Sequence, residues 1–322
     1  MNLTMKHPSN KRLEATGTER RASASALHVR VRGAMNTHEY ILSKQEQWAL
    51  RQGMSLIGSK DIRGRKMYTR SLNENLFEPL LPAVDRAFRE GDGGELAARP
   101  ASPPKIHAVH SSAALAVNVF QHWLTVSRVP EIAWACGFCS RGNRGSRGIR
   151  FEAKFEISSG FPFRPNVDVV IENVPESRYS VFAVESKFSE AYSQRGHAGV
   201  AGKYLALSSL WDGVPRLKRL AASISPGDER FAHLHAGQLI KHILGLRVAF
   251  GAGGFRLLYL WYDGFGDEAA RHGAEVEEFI SVARSDGIKL HALTYQELII
   301  RLAHEFREST GDYIDYVSNR YL

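Results

Sequence analysis

Two apolar segments of the sequence contain side chains that could hold a metal ion and stabilise developing charge: Asp168, Glu185 and Lys187. Glu185 and Lys187 end the segment "VFAVESK", and alternate residues of a strand share one face. Asp168 lies seventeen positions before Glu185, which is the length of a strand, a short turn and a returning strand. If the two strands form a hairpin, the two carboxylates lie side by side near the sheet edge, and they repel each other unless a cation or a proton lies between them.

Such a carboxylate pair suits a hard divalent cation. Mg²⁺ is usually held by a few carboxylate oxygens, with positions left open for water and phosphate. The ion would activate a water and neutralise charge on a phosphodiester, while Lys187 would orient that water or stabilise the transition state. The alternative is a structural ion pair in which Lys187 only balances Glu185.

The elements that must position these residues are predicted from hydrophobic periodicity and turn residues. Strands are predicted at 149–157, 166–172, 179–188, 256–262 and 288–293. Helices are predicted at 37–53, 71–89, 111–123, 230–245, 267–284 and 294–308. We expect Pro79 and Pro82 to kink or interrupt the second of these helices. Three successive strands followed by alternating helices and strands indicate an α/β sheet with helices packed on it.

Two of the predicted strands should present defined faces, because side chains alternate along a strand. In 179–188, Val181 and Ala183 should share the face of Glu185, and Phe182 and Val184 should lie on the other face. In 149–157, one face should carry every second apolar residue: Phe151, Ala153, Phe155 and Ile157.

The composition is that of a globular protein of 322 residues, with 43% apolar residues, 24% charged residues and a net charge of +8. No run of eighteen apolar residues and no apolar secretory signal is present, so we expect no membrane span and a cytoplasmic location. Two cysteines fit a reducing compartment. Residues 1–35 hold seven Lys/Arg and two Glu, are rich in Ser and Ala, and predict a disordered tail. We expect translation from Met35 to give a fully active protein.

A set of short motifs occurs in a fixed order along the chain: "GDGGEL", "HSSAALAVNVF", "FEAKF", "PNVDVVI" and "ESKFSE". Within this set, "PNVD" is followed after sixteen residues by "ESK". The arrangement resembles the PD-(D/E)XK nuclease superfamily and, within it, a family of prokaryotic restriction endonucleases, over residues 37–305. The resemblance implies an α/β protein with a restriction-endonuclease-like αβββαβ core, in which helices flank a mixed central sheet, and with an N-terminal helical extension.

The resemblance also implies roles for individual residues. Asp168 and Glu185 would be metal ligands, Ser186 would add its main-chain carbonyl, and Lys187 would be the water-orienting or charge-stabilising group. Gln238 and Lys241, three apart on one predicted helix face, resemble accessory catalytic residues, although a plain polar helix face remains the alternative. A further acidic residue could be Glu152, Glu74 or Glu78, of which we favour Glu152.

These roles predict a Mg²⁺-dependent DNA endonuclease of restriction type, with Mn²⁺ as a substitute ion. A repair or recombination nuclease and a non-catalytic nucleic-acid-binding protein on the same fold are the alternatives. Partners would be DNA, a second copy of the chain in a homodimer, and a separate methyltransferase, because no methyltransferase motif is present. We divide the chain into a tail (1–35), a helical region with a Gly/Pro connector (36–105), a nuclease core (106–310) and a C-terminal tail (311–322).

Three other patterns compete with this site. The pair Cys136 and Cys139 is most typical of two half-buried thiols in a strand. A redox centre and a zinc site shared with His107 and His110 are the less favoured alternatives. Four arginines of the Gly-rich loop 140–150 could contact the phosphate backbone or only be solvated: Arg141, Arg144, Arg147 and Arg150. Three histidines lack a ligand spacing matched to the carboxylates and are predicted to be helix-surface or packing residues: His233, His235 and His242.

Overall fold

A mixed β-sheet forms the centre of the protein in a computed structural model that describes residues 36–59, 64–97, 102–162, 164–193 and 196–322. The predicted tail 1–35 lies outside the described residues. The strands are β1 (Ser146–Lys154), β2 (Asn166–Asn173), β3 (Val181–Lys187), β4 (His197–Ala198), β5 (Gly227–Asp228), β6 (Phe255–Trp261) and β7 (Leu290–Thr294). Five of them form the main sheet in the order β1–β2–β3–β6–β7, and β4 pairs only with β5. β1, β2 and β3 are antiparallel neighbours, whereas β6 and β7 run parallel to β3.

Helices cover both faces of this sheet. They are α1 (Thr37–Arg51), α2 (Pro82–Glu90), α3 (Ser112–Thr125), α4 (Val129–Ala135), α5 (Gly202–Ala206), α6 (Pro215–Ser223), α7 (Ala236–Phe250), α8 (Gly266–Ser285), α9 (Tyr295–Phe306) and α10 (Gly311–Tyr321). Short 3₁₀ turns span Leu72–Asn75, Lys105–His107, Glu190–Tyr192 and Ser208–Trp211. One buried cluster joins the sheet to α1–α4, α9 and α10, and a second joins it to α5–α8. This architecture confirms the predicted α/β fold with a mixed central sheet and an N-terminal helical part.

The central strand β3 is buried along its whole length, as a strand between two helical layers must be. Phe182 and Val184 pack in the cluster under α3 and α9, whereas Val181 and Ala183 pack in the cluster under α7. The predicted assignment of faces in this strand is therefore confirmed. Because Glu185 follows Ala183 by two residues, its side chain lies on the α7 side of the sheet.

The edge strand β1 does not keep one apolar face, so the predicted alternation in 149–157 is wrong. Phe151 packs on the α3 side of the sheet, but Ala153 and Phe155 pack on the α7 side. Between them, Glu152 has a φ of 51°, in the left-handed region that residues with a Cβ rarely adopt. This one residue reverses the face on which the following side chains lie.

Three predicted helical boundaries differ from the structure for identifiable reasons. Residues 76–81 are not helical, and α2 begins at Pro82, whose fixed φ suits the first position of a helix. α7 begins at Ala236 because Glu275 accepts the backbone N–H groups of residues 232–234, outside a helix. Residues 311–322, predicted as a tail, form α10 and bury Tyr313, Ile314, Val317 and Tyr321. Among the described helices, none is both long and apolar enough to cross a bilayer.

Candidate active site

Three carboxylates lie in a row across the neighbouring strands β1, β2 and β3. Phe151 pairs with Val169, and Ala153 pairs with Val167, so the residues between them, Glu152 and Asp168, face each other. The pairing of Val169 with Val184 likewise places Asp168 beside Glu185 at the next step of the β2–β3 register. The predicted juxtaposition of Asp168 and Glu185 is thus present, at the end of the central strand and not at an edge strand.

This row of carboxylates adjoins a cleft of about 550 Å³. Glu152 and Asp168 line the cleft from the sheet, and Gln238 and Lys241 line it from α7. His235, directly before α7, and His242, within α7, also line it. The remaining wall comes from segments before β1 and around β2, β4 and α5: Asp92, Gly93, Glu95, Arg164, Pro165, Asn166, Gly196, His197, Ala198 and Tyr204. A cleft of this kind can admit a polar chain to the buried acidic groups.

Lys187 and Glu185 form a buried ion pair. Lys187 Nζ donates to Glu185 Oε1 at 2.5 Å and to Gln238 Oε1 at 3.0 Å, which joins β3 to α7. Burial by itself would raise the pKa of Glu185, but the neighbouring Lys187, and after it His242, outweigh burial and lower that pKa to about 2. Burial would lower the pKa of Lys187, but the charges of Glu185 and Asp168 outweigh it and raise that pKa. Both side chains are therefore ionised at neutral pH.

Asp168 is the carboxylate with the least compensation. Its Oδ2 accepts the backbone N–H of Ser186 at 2.7 Å, which leaves Oδ1 for another partner. Burial, followed by the charge of Glu185, raises the pKa of Asp168 well above the ordinary value for an aspartate. A cation beside this group would relieve both effects.

Glu152 is held in place by its own backbone conformation and by Asn166, whose Nδ2 donates to Glu152 Oε2 at 3.1 Å. Burial, and further the charges of Glu95 and Glu185, raise the pKa of Glu152 to about 7, against the opposing hydrogen bond from Asn166. Glu152 therefore exchanges its proton near neutral pH.

The other two predicted site residues also lie here. Ser186 is anchored on the opposite face of β3, where its Oγ forms a 2.6 Å hydrogen bond with the hydroxyl of Tyr295. Lys241 lines the cleft from α7, and burial lowers its pKa. The structure thus brings together all six residues named for the reaction, together with Ser186.

Glu74 and Glu78, the alternatives to Glu152, are engaged elsewhere. Glu74 caps the 3₁₀ turn that begins at Leu72 by accepting the backbone N–H groups of Arg70 and Ser71. Glu78 accepts a hydrogen bond from Thr125 and lies 2.7 Å from the ring of His122. Neither lines the cleft, whereas Glu152 does.

Of the three histidines predicted to be helix-surface or packing residues, two lie beside the candidate site, and only His242 belongs to α7. His242 is buried, with Nε2 2.8 Å from Glu185 Oε2. His235 lines the cleft, and burial, together with the charges of Lys187 and His197, lowers its pKa to about 3. His233 is a packing residue against Tyr192. The spacing of His242 could have indicated its place at the site, because it follows Gln238 by one helical turn and so lies on the same face of the helix.

The donor set fits a hard divalent cation that takes few protein ligands. Among the residues that the structure describes, no three His, Cys, Asp or Glu side chains converge on one point. However, Glu185 Oε2 is buried without a hydrogen-bond partner, and Asp168 lies beside it. Mg²⁺ is commonly bound by one or two carboxylates, with waters and substrate phosphates completing its shell.

The remaining predicted patterns lie away from the cleft. Cys136 ends α4 and is fully buried, and Cys139 lies in the turn that follows and not in a strand. The Gly-rich loop leads into β1, and Arg147 and Arg150 already lie within that strand. Arg141 pairs with Glu305 at 2.7 Å and Arg150 pairs with Glu172 at 2.8 Å, whereas Arg144 and Arg147 are exposed. Arg147 is separated from Glu152 by five residues of extended chain, about 16 Å, whereas Arg150 is only two residues from it.

Comparison with known proteins identifies one family. The family model described as "Restriction Endonuclease associating with ARP" matches residues 35–322. The match confirms the resemblance to a restriction-endonuclease family and extends it to the end of α10. No curated protein and no solved structure matches the chain.

Proposed function

The chain belongs to the family described as Restriction Endonuclease associating with ARP, and from this premise we propose that it is a Mg²⁺-dependent endonuclease that hydrolyses phosphodiester bonds of DNA. The observation that carries the proposal is the row formed by Glu152, Asp168 and Glu185, with Lys187 bonded to the last of them. Raised carboxyl pKa values in a cleft are typical of functional sites.

Asp168 and Glu185 are the residues that would hold the cation. When bound there, a divalent cation supplies Lewis-acid chemistry: it lowers the pKa of a water and neutralises charge on a phosphodiester. Lys187 is fixed by Glu185 and Gln238, so its ammonium is preorganised to stabilise negative charge without rearranging. Glu152, with a pKa of about 7, is suited to accept a proton near neutral pH.

The description of the family also names an associating component, ARP. We propose that this chain likewise acts together with a protein partner. Co-purification of the tagged chain from its own cells, followed by identification of the bound protein, would test this part of the proposal.

The nuclease proposal is tested by incubating the purified protein with supercoiled plasmid DNA in Mg²⁺ or in EDTA. We expect nicked and linear products in Mg²⁺ only. Asp168→Asn and Glu185→Gln should each lower cleavage by at least a thousandfold, because each removes a charged ligand. Glu172→Gln is the matched control, since Glu172 is the carboxylate at the other end of β2, is partly exposed and does not line the cleft. Cleavage in EDTA, or undiminished cleavage by the Asp168 variant, would refute the proposal.

A further inference from the structure

Glu185 Oε2 and both ring nitrogens of His242 are buried beside the carboxylate row without a hydrogen-bond partner, and the two that face each other are Oε2 and Nε2. They are 2.8 Å apart, yet the ring nitrogen is not aligned with the oxygen as a hydrogen bond requires. His242 is 1% exposed and Glu185 is 0% exposed, so bulk water does not satisfy either atom. Unpaired buried polar atoms are costly, and an adjacent oxygen and nitrogen with free lone pairs are a natural pair of cation ligands.

The neighbouring bonds keep these two atoms in place. Lys187 Nζ donates a hydrogen bond to Glu185 Oε1, so Oε2 is the oxygen left without a partner. Gln238, one helical turn before His242, holds Lys187 from the same face of α7. The helix therefore holds Lys187 through Gln238 and presents His242 beside the free oxygen of Glu185.

The separation of the two atoms also suits shared coordination. Adjacent ligands of an octahedral ion at 2.0–2.1 Å are roughly 3 Å apart, which is close to the observed 2.8 Å. Glu185, His242 and Asp168 do not converge on one point in the structure, so Asp168 would approach the ion from β2. Imidazole nitrogen suits transition metals, whereas Mg²⁺ prefers an all-oxygen shell.

We infer that His242 Nε2 is a direct ligand of the ion held by Glu185 and Asp168, and that this mixed nitrogen–oxygen site prefers Mn²⁺ to Mg²⁺. The inference rests on the proposed function, because it concerns the metal of the same site. It assigns a residue on α7 to metal selection, which carboxylates on the sheet cannot provide alone.

The test measures Mn²⁺ binding to the intact protein in two ways. Titration gives the affinity, and electron spin echo envelope modulation detects a ¹⁴N nucleus that is coordinated to the ion. We expect nitrogen modulation in the wild-type protein and its loss in His242→Gln. That variant should bind Mn²⁺ at least tenfold more weakly and lose less affinity for Mg²⁺, because the missing ligand favours the transition metal. His122→Gln is the matched control, since His122 also pairs with a glutamate, Glu78, at 2.7 Å but lies outside the cleft. His242→Asn is the second variant, should the first fail to fold.

Two contrary results have different meanings. If Asp168→Asn abolishes Mn²⁺ binding but the wild-type complex shows no nitrogen modulation, His242 is not a ligand and the proposed function stands. If Mn²⁺ does not bind, or binds equally well to Asp168→Asn, both the inference and the proposed metal site are wrong.

Discussion

Glu152 lies opposite Asp168 across β1 and β2, and it is there that the backbone of β1 enters the left-handed region. A residue with a Cβ in this conformation costs about 1–3 kcal/mol, and such strain is found chiefly at functional sites. The distortion reverses the faces of β1, so that Phe151 packs in the cluster on the α3 side of the sheet and Ala153 packs in the cluster on the α7 side. It also places the Glu152 carboxylate in the cleft with Asp168.

Glu152 should make stability depend on pH. Because its pKa is about 7 in the folded protein, above its ordinary value of 4.5, the folded state binds more protons than the unfolded state between these values. The free energy of unfolding should therefore fall by about 3 kcal/mol from this group as pH rises from 4.5 to 7. Urea denaturation in EDTA should show a shallower fall for Glu152→Gln. Glu172→Gln, which alters a partly exposed glutamate outside the cleft, should follow the wild-type curve. An unchanged fall in Glu152→Gln would contradict the assignment.

Loss of Lys187 should destabilise the protein by leaving a buried charge unpaired. We expect Lys187→Met to lower the free energy of unfolding by about 3–5 kcal/mol in EDTA, because Glu185 is fully buried. The double variant Lys187→Met/Glu185→Gln should lose clearly less, since it removes the charge as well. Lys154→Met is the control, since its pair with Asp92 is partly exposed and should be worth less than about 1 kcal/mol. Equal losses in the single and double variants would show that the pair is not coupled.

The same lysine should also act on the chemical step. If Lys187 stabilises the transition state, Lys187→Met should slow single-turnover cleavage by roughly 10²–10³-fold at saturating Mg²⁺. DNA binding, measured in Ca²⁺ at a temperature where the variant is folded, should change little, because the interaction is made mainly in the transition state. A loss of less than about threefold would favour the purely structural ion pair.

Among the four exposed arginines of segment 140–150, the two that form no ion pair in the described structure, Arg144 and Arg147, should contribute most to DNA binding. Arg144→Ala/Arg147→Ala should weaken binding to all sequences and reduce the slope of log K against log salt by about 0.9 for each lost phosphate contact. Arg141→Ala should do less, because Arg141 is already paired with Glu305. Fluorescence anisotropy over a range of salt concentrations measures these slopes. Identical slopes for wild type and the double variant would exclude the loop from the DNA interface.

The sequence determined the parts of the site that depend on local periodicity. Side chains alternate along any strand, so the shared face of Glu185 and Lys187 followed from their spacing. A short turn between two apolar segments was enough to place Asp168 next to Glu185, and the register of β2 and β3 bears this out. The α/β class followed likewise from the order of the elements.

Only the tertiary structure decided which more distant side chains reach that centre. His242 lies 57 positions after Glu185, and its contact depends on how α7 rotates and packs against β3, which periodicity does not specify. Apolar alternation predicted one face for β1, but the left-handed backbone at Glu152 reversed it. The paired strand β2 changes faces between Val167 and Val169, at the same step, and alternation along one strand does not specify such a paired change. The predicted arginine loop was shortened by the strand, because β1 begins at Ser146 and so includes Arg147 and Arg150. Extended backbone then places Arg147 about 16 Å and Arg150 about 7 Å from Glu152 along β1.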